Sequence, residues 1–227
     1  MIFKATVQRS WTVYKRHFVT FAAVEAFFVY TPNLILANLA PASGILSGVA
    51  LLIVFVLMLL GYMTIVVSAF HILRDQPIFL QESMRVSCGG LLPAFAVGVV
   101  SLVCMLTGLA LCLFPGCWAI AAWAVAVPAC AVERTGVISS FKRSAHLTAG
   151  KRWETLGAML GISVIAFAAL LVPGKVLGHG NPTHVIAEIA LTALISAFFA
   201  VFSATLYHDP RAFKDGLAAQ DIAGVFD

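Results

Sequence analysis

The sequence predicts an all-α, polytopic membrane protein: six transmembrane helices in three hairpins, each hairpin preceded by an amphipathic helix at the cytoplasmic interface. Three observations carry this reading. Six apolar runs each approach the roughly 20 residues a helix needs to cross the hydrocarbon core, in a chain that is 61% hydrophobic and 11% charged, far from the balance of a soluble domain. Thirteen of the fourteen lysines and arginines fall into segments that lie on one side if every run crosses once. A short polar-apolar pattern also recurs before each pair of runs, which reads as one helix-plus-hairpin unit repeated three times.

Taken in order, the chain opens on a basic amphipathic stretch carrying Gln8-Arg9-Ser10-Trp11-Thr12-Val13 and then crosses at 18–39 and 48–71. The second unit begins with Gln81-Glu82-Ser83-Met84-Arg85-Val86 and crosses at 91–113 and 117–133. The third begins with Lys142-Arg143-Ser144-Ala145-His146-Leu147, crosses at 154–174 and 184–207, and leads into a polar tail, 208–227. Each unit sets a serine between polar neighbours and an apolar turn. Trp11, Tyr14 and Phe18, or Val137, Phe141 and Leu147, share one helix face with bases opposite, the pattern of a helix lying flat at the headgroups. Residues 1–227 read as a single membrane domain.

The charges orient it. Lys4, Arg9, Lys15, Arg16, Arg74, Arg85, Arg134, Lys142, Arg143, Lys151, Arg152, Arg211 and Lys214 share one side, and Lys175 alone lies opposite. The positive-inside rule makes the basic side cytoplasmic, with both termini on it. Short turns at 40–47 and 114–116 and the 175–183 loop are then outside. The first run is too long for a signal-peptide core and follows a basic helix, so it reads as uncleaved. Five cysteines, mostly within the runs, behave as small apolar residues. A Cys112–Cys117 disulfide across the outer turn is the minor alternative.

Within the spans, Gly157 and Gly161 make a small-xxx-small face on the fifth helix, which permits close helix approach. Pro32, Pro93 and Pro128 predict kinks whose freed carbonyls need other donors. Glu25, inside the first run, is the intramembrane polar candidate: a carboxyl at that depth must face the bundle, carry a proton or find a partner such as Tyr62, Thr64 or Ser101. His179, His184 and Glu188 form a weak metal candidate, with His184 and Glu188 one helical turn apart; the default for such an interfacial group is solvation. No cofactor is implied. Phosphate loops, nucleophile elbows and zinc-protease signatures are absent from the sequence, and nothing in it points to nucleic acid.

Two stretches carry a resemblance. One comprises Pro115-Gly116, then Val127-Pro128-Ala129-Cys130-Ala131-Val132-Glu133-Arg134-Thr135-Gly136, Phe141-Lys142-Arg143-Ser144 and Leu147-Thr148-Ala149-Gly150-Lys151-Arg152-Trp153. The other is Leu206-Tyr207-His208-Asp209-Pro210-Arg211 with Lys214-Asp215-Gly216. Together they resemble the membrane domain of glycerophosphoryl diester phosphodiesterases and its stand-alone bacterial relatives, with Pro210 standing for the family's leucine and Asp215 for its glutamate. The resemblance implies a six-helix domain of a bacterial inner membrane. It does not imply phosphodiester hydrolysis, whose catalytic groups belong to a barrel absent from this sequence.

Read physically, Glu133, Arg134, Lys142, Arg143, Lys151, Arg152 and Arg211 form either an ion-pair network that docks the third amphipathic helix or a seat for anionic headgroups. The expected function is a non-enzymatic module that binds membrane lipid or a partner membrane protein. The alternative is a small permease with Glu25 as its intramembrane site, since carriers combine repeats with midplane polar groups.

Overall fold

The computed structural model describes residues 2–32, 45–77, 79–111, 113–177 and 182–226, and among them every regular element is helical. Helix α1 (Ile2–Arg16) runs into α2 (Phe18–Glu25), which continues as a single π-helical turn at Ala26–Tyr30. Then come α3 (Ile45–Leu73), α4 (Leu80–Gly89), α5 (Leu91–Leu111), α6 (Leu113–Trp123), α7 (Ala126–Glu133), α8 (Val137–Thr148), α9 (Arg152–Leu177) and α10 (Pro182–Phe226). Five stretches are long and apolar enough to cross a membrane: Gly48–Leu73, Leu91–Gly108, Gly116–Glu133, Arg152–Val172 and Ala190–Gly216. Where a first crossing was expected at 18–39, the described residues hold a shorter apolar helix, Phe18–Tyr30; 33–39 lie outside the described residues.

Three details of the expected layout change. The turn at 114–116 is helical, because α6 already starts at Leu113; Pro115 sits in its first turn, where a missing N–H breaks no bond. The crossing at 117–133 is two helices interrupted at 124–125. The polar tail is not a separate segment but the continuation of α10, helical through Pro210 to Phe226.

The three amphipathic segments become α1, α4 and α8, and each turns its aligned serine inward: Ser10, Ser83 and Ser144 are all buried. Rather than lying apart from the bundle, these helices pack back along the longer ones. Helix α1 lies lengthwise on α10, Thr6 Oγ1 bonding Asp209 at 3.0 Å near one end and Tyr14 OH bonding the Leu194 carbonyl at 3.1 Å near the other. Helix α4 returns along α3, bringing Gly90 beneath the Met63 methyl. Helix α8 returns along α7 and α6. Small inward residues make this possible, since a serine admits a close neighbour; Ser10 satisfies its hydroxyl on the Thr6 carbonyl of its own helix.

The break between α6 and α7, where the backbone opens at 124–125, is bridged from α8. Pro128 lies in the first turn of α7, where its missing N–H breaks no helical bond. Ser144 Oγ on α8 then donates to the Ala122 carbonyl at 2.8 Å and accepts from Val125 N–H at 3.3 Å, while Thr148 Oγ1 adds a 3.3 Å bond to the same carbonyl. In an apolar medium each unmade bond would cost several kcal/mol, on the order of 2–7.

Among the described residues the core forms three clusters, the largest where α1, α2, α3 and α10 meet, around Val13, Phe21, Ile65, Val66, Ala200 and Val201. Phe70, Val125, Ala129, Leu147 and Tyr207 form a second; Met63, Val67, Ala94, Val97, Ala126 and Cys130 form the third. Gly61 lies against Phe28, where an added Cβ would come within 2.6 Å of the Phe28 Cβ. Gly157 and Gly161 are exposed, and a Cβ built on either meets nothing within 4 Å. The small-residue face on α9 is thus unused within the described part of the chain.

Candidate functional site

The basic end of the bundle resolves into a closed ion-pair cluster, an amphipathic groove and a cavity. The cluster is built from three helix ends. Glu133 is the last residue of α7, which Arg134 closes in a left-handed conformation, φ 52°. Arg143 lies on α8. Tyr207, Arg211 and Asp215 are spaced four apart on α10 and therefore share one face.

Glu133 Oε1 accepts from Arg143 Nε at 2.9 Å and from Tyr207 OH at 2.6 Å, with Arg211 Nη1 at 3.7 Å. Arg143 Nη2 reaches both Asp215 oxygens, at 3.2 and 2.9 Å. Arg211 closes the ring by donating to Tyr207 OH at 2.9 Å and to Asp215 Oδ2 at 3.4 Å. Burial works to lower the Arg143 pKa, and the Asp215 and Glu133 carboxylates outweigh it and hold the group above its ordinary value. Two acids face two guanidiniums, so the cluster is neutral. Such a ring fixes where α7, α8 and α10 end relative to one another. Lys214 adds to it by donating to the His146 and Ala149 carbonyls at the end of α8.

The expected network is therefore present for Glu133, Arg143 and Arg211 and excludes the other four bases. Arg134 and Lys142 are exposed outside the ring; Lys151 sits over the Phe213 ring at 5.3 Å and Arg152 over the Trp118 ring at 4.5 Å. Tyr207 and Asp215 complete the ring; their i, i+4, i+8 spacing with Arg211 was the available signal. A second group, Thr6, Arg9 and His208 around Asp209, with Arg9 Nη1 at 3.1 Å, ties α1 to α10.

The groove, of about 260 Å³, runs between α1, the start of α9 and α10, with Leu147, Ala158 and Leu206 lining it and Lys151, Glu154 and Asp209 on its polar side. The cavity, of about 270 Å³, lies between α6 and α9 and is lined by Cys117, Trp118, Ala121, Arg152, Trp153 and Leu156. It exists because α8 doubles back along α7, which carries the start of α9 to the level of Trp118. Positive-inside logic had set these two positions on opposite sides of the membrane; the returning amphipathic helix brings them together.

Glu25 is 2% exposed and sits at the last position before the π-helical turn. It points into the bundle, but toward Ser196 of α10 and the Tyr14 hydroxyl of α1 rather than the expected partners. Tyr62 is taken by Ser203 at 2.6 Å, Thr64 by the Leu60 carbonyl, and Ser101 Oγ is buried without a bond. Glu25 Oε2 is likewise buried with no hydrogen-bond partner.

For the weak metal candidate, His179 lies outside the described residues and Glu188 is exposed on α10; among the described residues no three His, Cys, Asp or Glu side chains gather around a common point. Cys117 is a free thiol, and its expected alternative partner Cys112 lies outside the described residues. Compared with known proteins, the chain matches no family model, no curated protein and no solved structure.

Proposed function

We propose that the chain is a non-enzymatic membrane module that holds a lipid at its basic end. The observation that carries this is the groove between α1, α9 and α10, whose apolar lining and Lys151–Glu154–Asp209 polar side match the division within a lipid molecule. The neutral ring beside it supports the same reading, because it gives the groove a fixed wall. The stretches that resemble the phosphodiesterase membrane domain supply that ring, so the resemblance is to a scaffold. In this reading the domain sits in a bacterial inner membrane with both termini cytoplasmic, and the exposed faces of α5 and α9 meet lipid or a partner membrane protein.

The test is native mass spectrometry of the purified protein. The wild type is expected to carry lipid adducts that Ala158→Phe, which fills the groove, removes without lowering the melting temperature. Adducts undiminished in a folded Ala158→Phe protein would refute the groove as the seat. Orientation is checked by fusing a reporter active only outside the cytoplasm after residue 216, which is expected to stay silent.

A permease reading is favoured by a separate observation. The orphaned Glu25 Oε2 lies next to a π-helical turn, a local geometry frequent at functional sites. Proton-dependent solute uptake into liposomes that is lost in Glu25→Gln would favour it over the lipid-holding module.

A further inference from the structure

Arg152 differs from the other guanidiniums of the third unit. Arg143 and Arg211 each meet two carboxylates. Arg152 meets none among the described residues: its guanidinium stacks on Trp118 at 4.5 Å, and its Nε–H is shielded from solvent with no acceptor. Among the described residues that line the cavity there is no acid, and Arg152 is the one charged group. A guanidinium whose Nε–H is shielded from solvent and unused is costly unless something anionic accepts from it. At about 270 Å³ the space far exceeds the ~30 Å³ share of one water in the liquid.

We propose that this cavity is a binding site for a phosphate-ester anion, with Arg152 as its charge, Trp118 and Trp153 as its walls, and Ala121 and Leu156 as an apolar surface for the rest of the ligand. A guanidinium matches phosphate because its planar fork presents paired donors to two oxygens, and stacking on Trp118 holds that fork in place. Tryptophan, apolar on its face and able to donate at its edge, suits the boundary between headgroup and acyl chain. The same chemistry is offered by the headgroup of an anionic phospholipid and by a soluble glycerol phosphate. This site is separate from the α1–α9–α10 groove and does not depend on it.

The full-length protein is compared in nanodiscs containing phosphatidylglycerol or phosphatidylcholine, with retained lipid read by native mass spectrometry. Arg152→Gln is expected to lower the preference for phosphatidylglycerol about tenfold, near the value of one charge-assisted hydrogen bond. Lys142→Gln removes the same charge from an exposed position and is expected to leave the preference within about twofold, as a screened surface charge would. Cys117→Phe keeps the charge but narrows the cavity, and is expected to reduce binding as Arg152→Gln does. It also keeps the test decisive if Arg152→Gln fails to fold.

In a second arm, glycerol 3-phosphate is titrated into delipidated protein in neutral detergent. Saturable binding that Arg152→Gln abolishes, with no lipid preference in nanodiscs, identifies a soluble ligand and upholds the site. Equal losses for Lys142→Gln and Arg152→Gln would reduce the effect to diffuse attraction and overturn it. So would neither probe binding to folded wild type. Binding that persists in Ala158→Phe while its groove adducts vanish separates this site from the groove.

Discussion

The crossings that build the basic end of the bundle and those that form the faces of α5 and α9 are all apolar but put their residues to opposite uses. In the crossings Gly116–Glu133 and Ala190–Gly216 about half the residues are buried, 56% and 50%; in Leu91–Gly108 and Arg152–Val172 the shares are 11% and 17%. The difference does not lie in hydropathy, which is higher in the exposed pair, at 2.2 and 2.3 against 1.5 and 1.8. It lies in whether small and polar residues meet a neighbour, as Gly157 and Gly161 on α9 do not among the described residues. The buried pair carries Ala126, Ala129, Cys130, Ala197, Ala200, Ser203 and Ala204, which let backbones approach, and ends in the Glu133–Arg143–Arg211–Asp215 ring. In a membrane, where lipid solvates leucine as well as another leucine does, close packing and hydrogen bonds decide which helices associate.

The comparison breaks most visibly at Glu133. Glu133→Leu leaves Arg143 Nε and the Tyr207 hydroxyl proton without their acceptor, while Arg143 keeps Asp215; for a partly buried pair the cost is expected to fall below the roughly 3–5 kcal/mol of a fully buried one. A loss of folded protein on size-exclusion chromatography or a large fall in melting temperature is expected. An unchanged melting temperature would show that the ring holds nothing together. Tyr207→Phe removes only the hydroxyl, and a hydrogen bond to a charged group contributes about 1.5–3 kcal/mol; its melting temperature is expected to fall between wild type and Glu133→Leu.

The sharpest contrast comes from one substitution made in both regions. Gly61→Ala forces a methyl against Phe28 and is expected to destabilise by about 1–3 kcal/mol, as overpacking does. Gly157→Ala meets nothing and is expected to be neutral or to stabilise by up to about 1 kcal/mol, the helix-propensity difference between the two residues. Denaturant titration of both variants in the same detergent gives the signs. A destabilised Gly157→Ala would mean that α9 packs on something beyond this chain.

Helical class and the existence of the three amphipathic helices were legible, because both follow from local periodicity; their first residues were not, α8 starting at Val137 rather than Lys142. Even the aligned serines at 10, 83 and 144 carried structural meaning, all three facing inward. Directions were not legible. Nothing local in Lys142–Leu147 states that α8 turns back along α7, since that depends on the Ala122 carbonyl beside the break at 124–125, which Ser144 and Thr148 reach from 22 and 26 positions further on. Pairing was half legible: charge placed Glu133, Arg143 and Arg211 together, but separating them from Arg134 and Arg152 needed helix phases accurate to a fraction of a turn. For Glu25 the cost of burial correctly gave an inward carboxyl, while the identity of its neighbours depended on α1 lying along α10.

One property of the ring concerns the order in which the chain is made. Glu133 and Arg143 are ten residues apart and meet on neighbouring helices, whereas Tyr207 and Asp215 follow them by 74 and 72 positions. During synthesis the early pair is already balanced, one acid against one base, so α8 can dock on α7 before α10 exists. Helix α10 then brings a second balanced pair, Arg211 and Asp215, together with the Tyr207 hydroxyl. The ring is neutral at each stage of its assembly, and neither half has to wait for the other before its charge is met.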